Sequence, residues 1–226
     1  MDNTSQITLL RQFPLFENIT VEELSFLAKV TEYKIKSKYN FLYLPGEASD
    51  RILFLVKGTV KIGTHSNDGK EIIKSILHPL AMFGELGIVG EEERQDFAKA
   101  MNEEVHYYSL KVSDFQKIMQ ANPYVANKIL LLMGSRLRKA ESRLESLIFK
   151  DARTRIIDFI RDSAITRGRK VGFEMLVKHS LTQQDIANIT GTSRQTVTSV
   201  LNELKKSNLI FFNRRTILIR DLAKLA

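Results

Sequence analysis

LTQQDIANITGTSRQTVTSVLNEL, running from Leu181 to Leu204, reads as two short helices that meet at a tight turn. Thr182 followed three residues later by Asp185 is a capping box opening the first helix, and Ile186 with Ala187 begins its buried face. Gly191 ends that helix: a chain turning sharply from one helix into the next needs a residue that tolerates positive φ, and glycine does so without steric cost. Ser193 offers a hydroxyl to cap the second helix, whose apolar positions Val197, Val200, Leu201 and Leu204 share one face. The opposite face carries Arg194, Gln195, Thr198, Ser199 and Asn202, a set of donors and acceptors suited to base edges and phosphates. The alternative is an ordinary αα-hairpin, in which the same polar face is merely solvated.

The sequel favours the nucleic-acid reading. After Lys205-Lys206-Ser207-Asn208 come LIFF, then Asn213-Arg214-Arg215, then TILI, the pattern of a β-hairpin with two arginines at its tip. Helix, turn, helix and basic hairpin outline a winged helix-turn-helix. Its wing arginines, Arg214 and Arg215, are expected on phosphate, where they add affinity rather than sequence choice. Charge is divided to match: residues 1–150 hold 20 Lys+Arg against 19 Asp+Glu, while residues 151–226 hold 14 against 7. A neutral first part followed by a basic last third points to a polyanion at one end of the chain.

Composition narrows the remaining classes. There is no cysteine, which excludes disulfides, iron-sulfur clusters and thiolate metal sites and fits a cytoplasmic location. His65, His78, His106 and His179 are scattered without a partner at ligand spacing, so neither a metal set nor a histidine-based catalytic set is expected, a haem or metal on His78 alone being the alternative to ordinary polar surface. No nucleophile elbow or phosphate-cradling loop is present, which argues against an enzyme. No segment approaches the roughly 20 apolar residues of a membrane span, and MDNTSQITLL lacks a signal-peptide pattern, so no membrane partner is expected.

Upstream, the pattern changes twice. Between Asn40 and Leu110 the runs FLYL, ILFLV, TVKIGTH and EIIKSIL are short and β-rich, separated by PGEASD, Lys57-Gly58 and Asn67-Asp68-Gly69. Asp68-Gly69 closes a hairpin and Pro45-Gly46 sets a corner, so a small barrel or jelly roll follows, with the helical stretch PLFENITVEELSFLAKVTEY against one end. From Pro123 to Phe149 the period is helical. Ala126, Leu130, Met133, Leu137, Ala140, Leu144 and Leu147 fall at alternating spacings of 4 and 3, the seam of a two-stranded coiled coil and hence of a homodimer. The alternative is an amphipathic helix packed on its own barrel. Two-fold symmetry would set two recognition helices about one DNA turn apart on a pseudo-palindrome.

In this order the elements resemble the Crp/Fnr family of bacterial transcription regulators over nearly the whole chain. The matching motifs are P-G-E-A-S-D at Pro45 to Asp50, L-V-K-G-T-V at Leu55 to Val60, D-G-K-E at Asp68 to Glu71, F-G-E-L at Phe83 to Leu86, and T-x-Q-D-I-A with G-x-S-R-Q-T-V from Thr182 to Val197. The resemblance implies an α+β chain: a cyclic-nucleotide-binding-type β jelly roll over residues 1–122, a dimerisation helix over 123–149 and a winged helix-turn-helix over 150–226, with a hinge at FKDARTR from Phe149 to Arg155. It implies a DNA-binding homodimer controlled by a small effector, RNA polymerase as a further partner, and DNA contacts from Thr182, Gln183, Ser193, Arg194, Gln195, Thr198, Ser199, Arg214 and Arg215. A regulatory or scaffolding module whose C-terminal part binds protein is the second reading.

For the effector, the resemblance implies cAMP or another cyclic nucleotide, held by a carboxylate on the ribose and an arginine on the phosphate. Gly84, Glu85, Leu86 and Arg94 stand in those places, and the chemistry of a guanidinium on a phosphate is sound. The chain departs from that pattern at Gln95, where the family has a phosphate-binding serine, at Asp96, and at Ala140 and Glu141, where it has an adenine-contacting hydroxyl pair. Glu91, Glu92, Glu93 and Asp96 also crowd Arg94, which predicts a salt-bridged surface arginine as the alternative. In the recognition helix, Arg194, Gln195 and Ser199 stand where cAMP-responsive members carry Arg-Glu and a second arginine. Gln195 prefers adenine, which predicts a half-site richer in A·T at its middle position.

Overall fold

A computed structural model describes residues 3–225 of the chain. The chain forms two compact units, one of Met1–Thr64 with Lys74–Arg138 and the other of His65–Ile73 with Lys139–Ala226.

The first unit opens with α1 (Asn3–Leu10) and α2 (Val21–Val30) and continues through β1 (Glu32–Ser37), β2 (Phe41–Tyr43), β3 (Arg51–Lys57), β4 (Val60–His65), β5 (Glu71–Leu77), β6 (Met82–Phe83), β7 (Phe97–Ala100) and β8 (Glu104–Lys111), except that the β4–β5 tip, His65–Ile73, belongs to the second unit. These strands form two four-stranded sheets in the orders β1-β8-β3-β6 and β2-β7-β4-β5. The runs FLYL, ILFLV, TVKIGTH and EIIKSIL are β2 to β5, while β1, β6, β7 and β8 had no separate signal in the sequence.

β3 explains why ILFLV is apolar without interruption. Leu53 and Leu55 face the core between the sheets with Tyr43, Val60, Ile62, Phe83 and Tyr107, while Ile52 and Phe54 point the other way into a helix-covered core with Phe13, Phe16, Leu24, Leu27 and Phe115. Successive side chains leave a strand on opposite faces, so a strand buried on both sides must be apolar at every position. The second core is closed by α3 (Val112–Ala121) and the start of α4 (Pro123–Phe149), through Val125 and Ile129. Asn122 separates the two helices; its Oδ1 accepts the Tyr124 N–H at 3.1 Å, and Pro123, which has no N–H to leave unsatisfied, opens α4.

Along α4 the expected seam divides. Leu130, Leu137 and Leu144 are 70%, 61% and 60% exposed, whereas Met133 packs on the helix-covered core and Ala126 is half-buried. Ala140 is exposed, and Leu147 lies against the corner at Gly191, where an added Cβ would sit 3.0 Å from its Cδ2.

In the second unit α5 (Ala152–Arg167) starts from Asp151, whose carboxylate accepts the Thr154 N–H at 2.7 Å. Helicity is therefore broken at residues 150 and 151, inside the expected hinge. A hairpin not foreseen in the sequence, β9 (Arg169–Val171) and β10 (Glu174–Lys178), leads to α6 (Gln183–Thr190), α7 (Arg194–Lys206), β11 (Ile210–Phe212) and β12 (Thr216–Ile219). Its strands join those of the wing in one sheet, β11-β12-β10-β9. Ile156, Ile160, Val177, Ile186, Val197, Leu201, Leu204 and Ile217 are among its buried residues.

Candidate DNA-binding surface and effector site

α6 and α7 form as their sequence dictates. Thr182 Oγ1 accepts the Asp185 N–H at 3.0 Å, and the Asp185 carboxylate accepts the Thr182 N–H at 2.8 Å, so the capping box is closed in both directions. Gly191 ends α6 with φ +64°, in the left-handed region. Ser193 Oγ then accepts the Thr196 N–H at 3.0 Å and opens α7, which buries Val197, Val200, Leu201 and Leu204. Arg194, Gln195, Ser199 and Asn202 remain exposed on its opposite face.

Not every expected contact residue is equally available. The hydroxyls of Thr182 and Ser193 are engaged as caps, which leaves the helix starts, rather than these side chains, to meet an anion. Gln183 and Thr198 are joined to each other, Thr198 Oγ1 donating to Gln183 Oε1 at 2.7 Å. In the wing, Asn213 Oδ1 accepts the Arg215 and Thr216 N–H groups, both at 3.0 Å, and this turn displays Arg214 and Arg215 to solvent. The wing is tied back by His179, whose N–H donates to Arg215 O at 2.9 Å. Lys205, in the last turn of α7, stands over Phe211 and Phe212 at 5.3 and 5.7 Å from the ring centroids.

The candidate effector residues tell a different story. Arg94 is 4% exposed, which corrects the expectation of a salt-bridged surface arginine. Its guanidinium donates to Gly84 O at 2.9 Å and to Arg51 O, and lies over the Tyr43 ring, 4.6 Å from the centroid. The acidic neighbours turn elsewhere: Glu91 accepts from Ser49 Oγ at 2.7 Å and reaches Arg94 only at 3.9 Å, while Asp96 accepts from Tyr43 at 3.2 Å and from Lys74 at 3.3 Å. Burial, together with the Asp96 carboxylate, holds the Tyr43 hydroxyl far above its ordinary pKa.

Glu85, 2% exposed, is ion-paired with Arg136 of α4, which also donates to Met82 O at 2.6 Å. Burial lowers the Arg136 pKa from its ordinary value. Gln95 is exposed and its amide donates to Glu93 O at 3.1 Å, while Leu86 is partly exposed in the short 3-10 turn Glu85–Val89 that follows Gly84. Ala140 and Glu141 belong to the second unit and are exposed there.

Comparison with known proteins places this geometry in a family. Residues 37–122 match the cyclic nucleotide-binding domain and residues 154–226 the Crp-like helix-turn-helix domain. The cAMP-activated global transcriptional regulator CRP of Escherichia coli is 30% identical over 197 residues, which is 86% of this chain and 91% of that protein. The chain belongs to the Crp/Fnr family. Another relative, the CRP-like cAMP-activated global transcriptional regulator of Mycobacterium tuberculosis, is 28% identical over 96% of this chain and 97% of its own length. A CooA mutant from Carboxydothermus hydrogenoformans, 28% identical, superimposes with a TM-score of 0.75 over 87% of each chain.

As a Crp/Fnr member the chain is a transcriptional regulator with a helix-turn-helix DNA-binding domain, and its fold is the one the motifs implied. No helix among the described residues is long and apolar enough to cross a membrane. Three arginines with structural roles had no local signal in the sequence: Arg136, which meets Glu85, and Arg143 and Arg155, which meet backbone carbonyls in the second unit. The partners Glu85, Ile189 and Thr190 are 35 or more residues away in the chain, beyond the reach of any periodicity.

Proposed function

We propose that this Crp/Fnr protein acts as a homodimer that reads a pseudo-palindromic DNA site through α7, with the wing on the flanking phosphates. The observation that carries this is the two-sided character of α7. Its apolar stripe is buried, its start is capped by Ser193, and Arg194, Gln195 and Ser199 stand exposed on the free face beside the basic wing. Arg194 supplies a bidentate donor to guanine and Gln195 a donor-acceptor pair matched to adenine. Arg214 and Arg215, on a rigid turn, suit phosphate.

Dimerisation is supported by Leu130, Leu137 and Leu144, which recur every seven residues on α4 and are more than half exposed. Burying one leucine side chain is worth about 1.5–3 kcal/mol, so a second copy offering the same row is a natural cover for them. Two-fold symmetry then sets the recognition helices about 34 Å apart, one turn of DNA.

A cyclic nucleotide does not fit the residues that the family would use for it. Arg94 donates to two backbone carbonyls and Glu85 is paired with Arg136, which leaves, of these two side chains, only Arg94 Nε and Glu85 Oε2 buried without a hydrogen-bond partner among the described residues; Gln95 turns to its own loop, and Ala140 and Glu141 carry no hydroxyl. DNA binding by this chain is therefore read as independent of cAMP and cGMP. Calorimetric titration of the protein with each nucleotide tests that part, with no heat of binding expected; stoichiometric binding would overturn it. Gel-shift comparison of wild type with Arg194→Ala tests the DNA reading, the variant losing about 1–3 kcal/mol and its preference at one base position.

A further inference from the structure

The C-terminal end of α6 is gripped from outside. A helix leaves its last carbonyls without intrahelical partners, and they carry the negative end of its dipole. Here three successive carbonyls are taken by two arginines from other helices. Arg143, on α4, donates to Ile189 O; Arg155, on α5, donates through Nε to Thr190 O at 2.9 Å and through a terminal nitrogen to Gly191 O at 3.2 Å. The second terminal nitrogen of Arg155 donates to Lys150 O at 2.6 Å, where α4 has ended.

The grip includes a third element. Arg143 also donates to Ile73 O at 2.8 Å, in the β4–β5 tip that belongs to the same compact unit, and Asn188 of α6 donates to Glu71 Oε1 of that tip at 3.0 Å. α6 in turn carries α7 through the bond between Gln183 and Thr198. A planar guanidinium can hold two carbonyls at once in a set geometry, and burial favours such fixed partners for Arg143, whose pKa is lowered by desolvation.

We infer that Arg143 and Arg155 are positioning residues for DNA reading: they lock the α6–α7 pair to the end of the long helix and so fix the direction in which α7 is presented. Neither is offered as a DNA contact. The inference rests on the reading of the chain as a dimer spanning two half-sites, because orientation matters only when two recognition helices must meet one duplex together. Ordinary capping would cost stability without regard to the DNA; positioning makes the cost depend on half-site spacing.

The test uses the DNA site selected by the wild-type protein from random sequence, prepared as a single half-site and as paired half-sites with the selected spacing or with one or two base pairs inserted. Binding of wild type, Arg143→Lys, Arg143→Gln and Arg155→Lys is measured on each, and the ratio of full-site to half-site affinity is compared, a quantity unaffected by any loss of folded protein. Wild type is expected to prefer the selected spacing. The variants are expected to lose that preference by about fivefold or more, while base preference within a half-site is unchanged. Lysine keeps the charge but not the fork, so it is not expected to restore the ratio. Variants that keep the wild-type spacing preference would overturn the inference alone; wild type that binds full and half-sites equally would overturn the dimer reading and the inference with it.

Discussion

Thr198 and Gln183 are hydrogen-bonded across the two helices of the reading motif, Oγ1 of the one donating to Oε1 of the other at 2.7 Å. The bond fixes a polar side chain at the start of α6 against α7. Thr198→Val keeps the side-chain shape and removes the donor. It is expected to cost about 0.5–1.5 kcal/mol of stability by urea unfolding, and to weaken DNA binding by a similar amount in gel shifts.

Arg214 stands exposed at the tip of a turn closed by Asn213. Arg214→Ala is expected to weaken binding to specific and non-specific DNA alike, and to lower the slope of log affinity against log salt by about 1. Fluorescence anisotropy over a salt series reads both quantities. An effect confined to one base position would place Arg214 in a groove instead.

Arg94 holds Gly84 O and Arg51 O inside the first unit and is almost wholly buried. Arg94→Ala is therefore expected to destabilise the protein by about 1.5–3 kcal/mol in the absence of any ligand, as when a charged donor is withdrawn from buried acceptors. A variant as stable as wild type in urea would show that the arginine is free for a ligand.

His179 supplies a pH dependence. Burial, the main cause, holds its pKa below the ordinary histidine value; the bond between Nδ1 and Leu181 O at 3.1 Å opposes this, and Arg167 reinforces it. Nε2 is buried without a hydrogen-bond partner among the described residues, so the folded protein favours neutral imidazole. The unfolded chain takes up the proton near its ordinary value of about 6.5, and the stability attached to His179 is present above that pH and lost as pH falls below it. Urea midpoints at pH 7.5 and 5.5 should differ more for wild type than for His179→Gln. Equal differences would remove His179 as the source.

Legibility in the sequence followed the range of the interactions. The helix-turn-helix was readable to the residue because each of its determinants is local: Thr182 with Asp185, Gly191 at the corner, Ser193 as cap, and the spacing of Val197, Val200, Leu201 and Leu204. The wing was readable from its turn. The β9–β10 hairpin was not, since Arg169–Val171 is three exposed residues without alternation. The surroundings of Arg94 were not legible either. Arg94 is surrounded in sequence by carboxylates, yet in space it lies on Tyr43 and on carbonyls at positions 51 and 84. On α4 a heptad gives spacing and not direction, and Met133 turns inward while Leu130 and Leu137 face out.

Selection of bound sequences from random duplex DNA by the protein tests whether α7 reads DNA with Arg194, Gln195 and Ser199. The expected outcome is an enriched two-fold site whose half-sites keep a G·C pair for Arg194 and carry A·T at the middle position opposite Gln195, with the G·C preference relaxed in Arg194→Ala. Enrichment of half-sites with G·C at that middle position would contradict the role given to Gln195, and no enrichment at moderate salt would contradict the reading of this surface as a sequence-specific DNA interface.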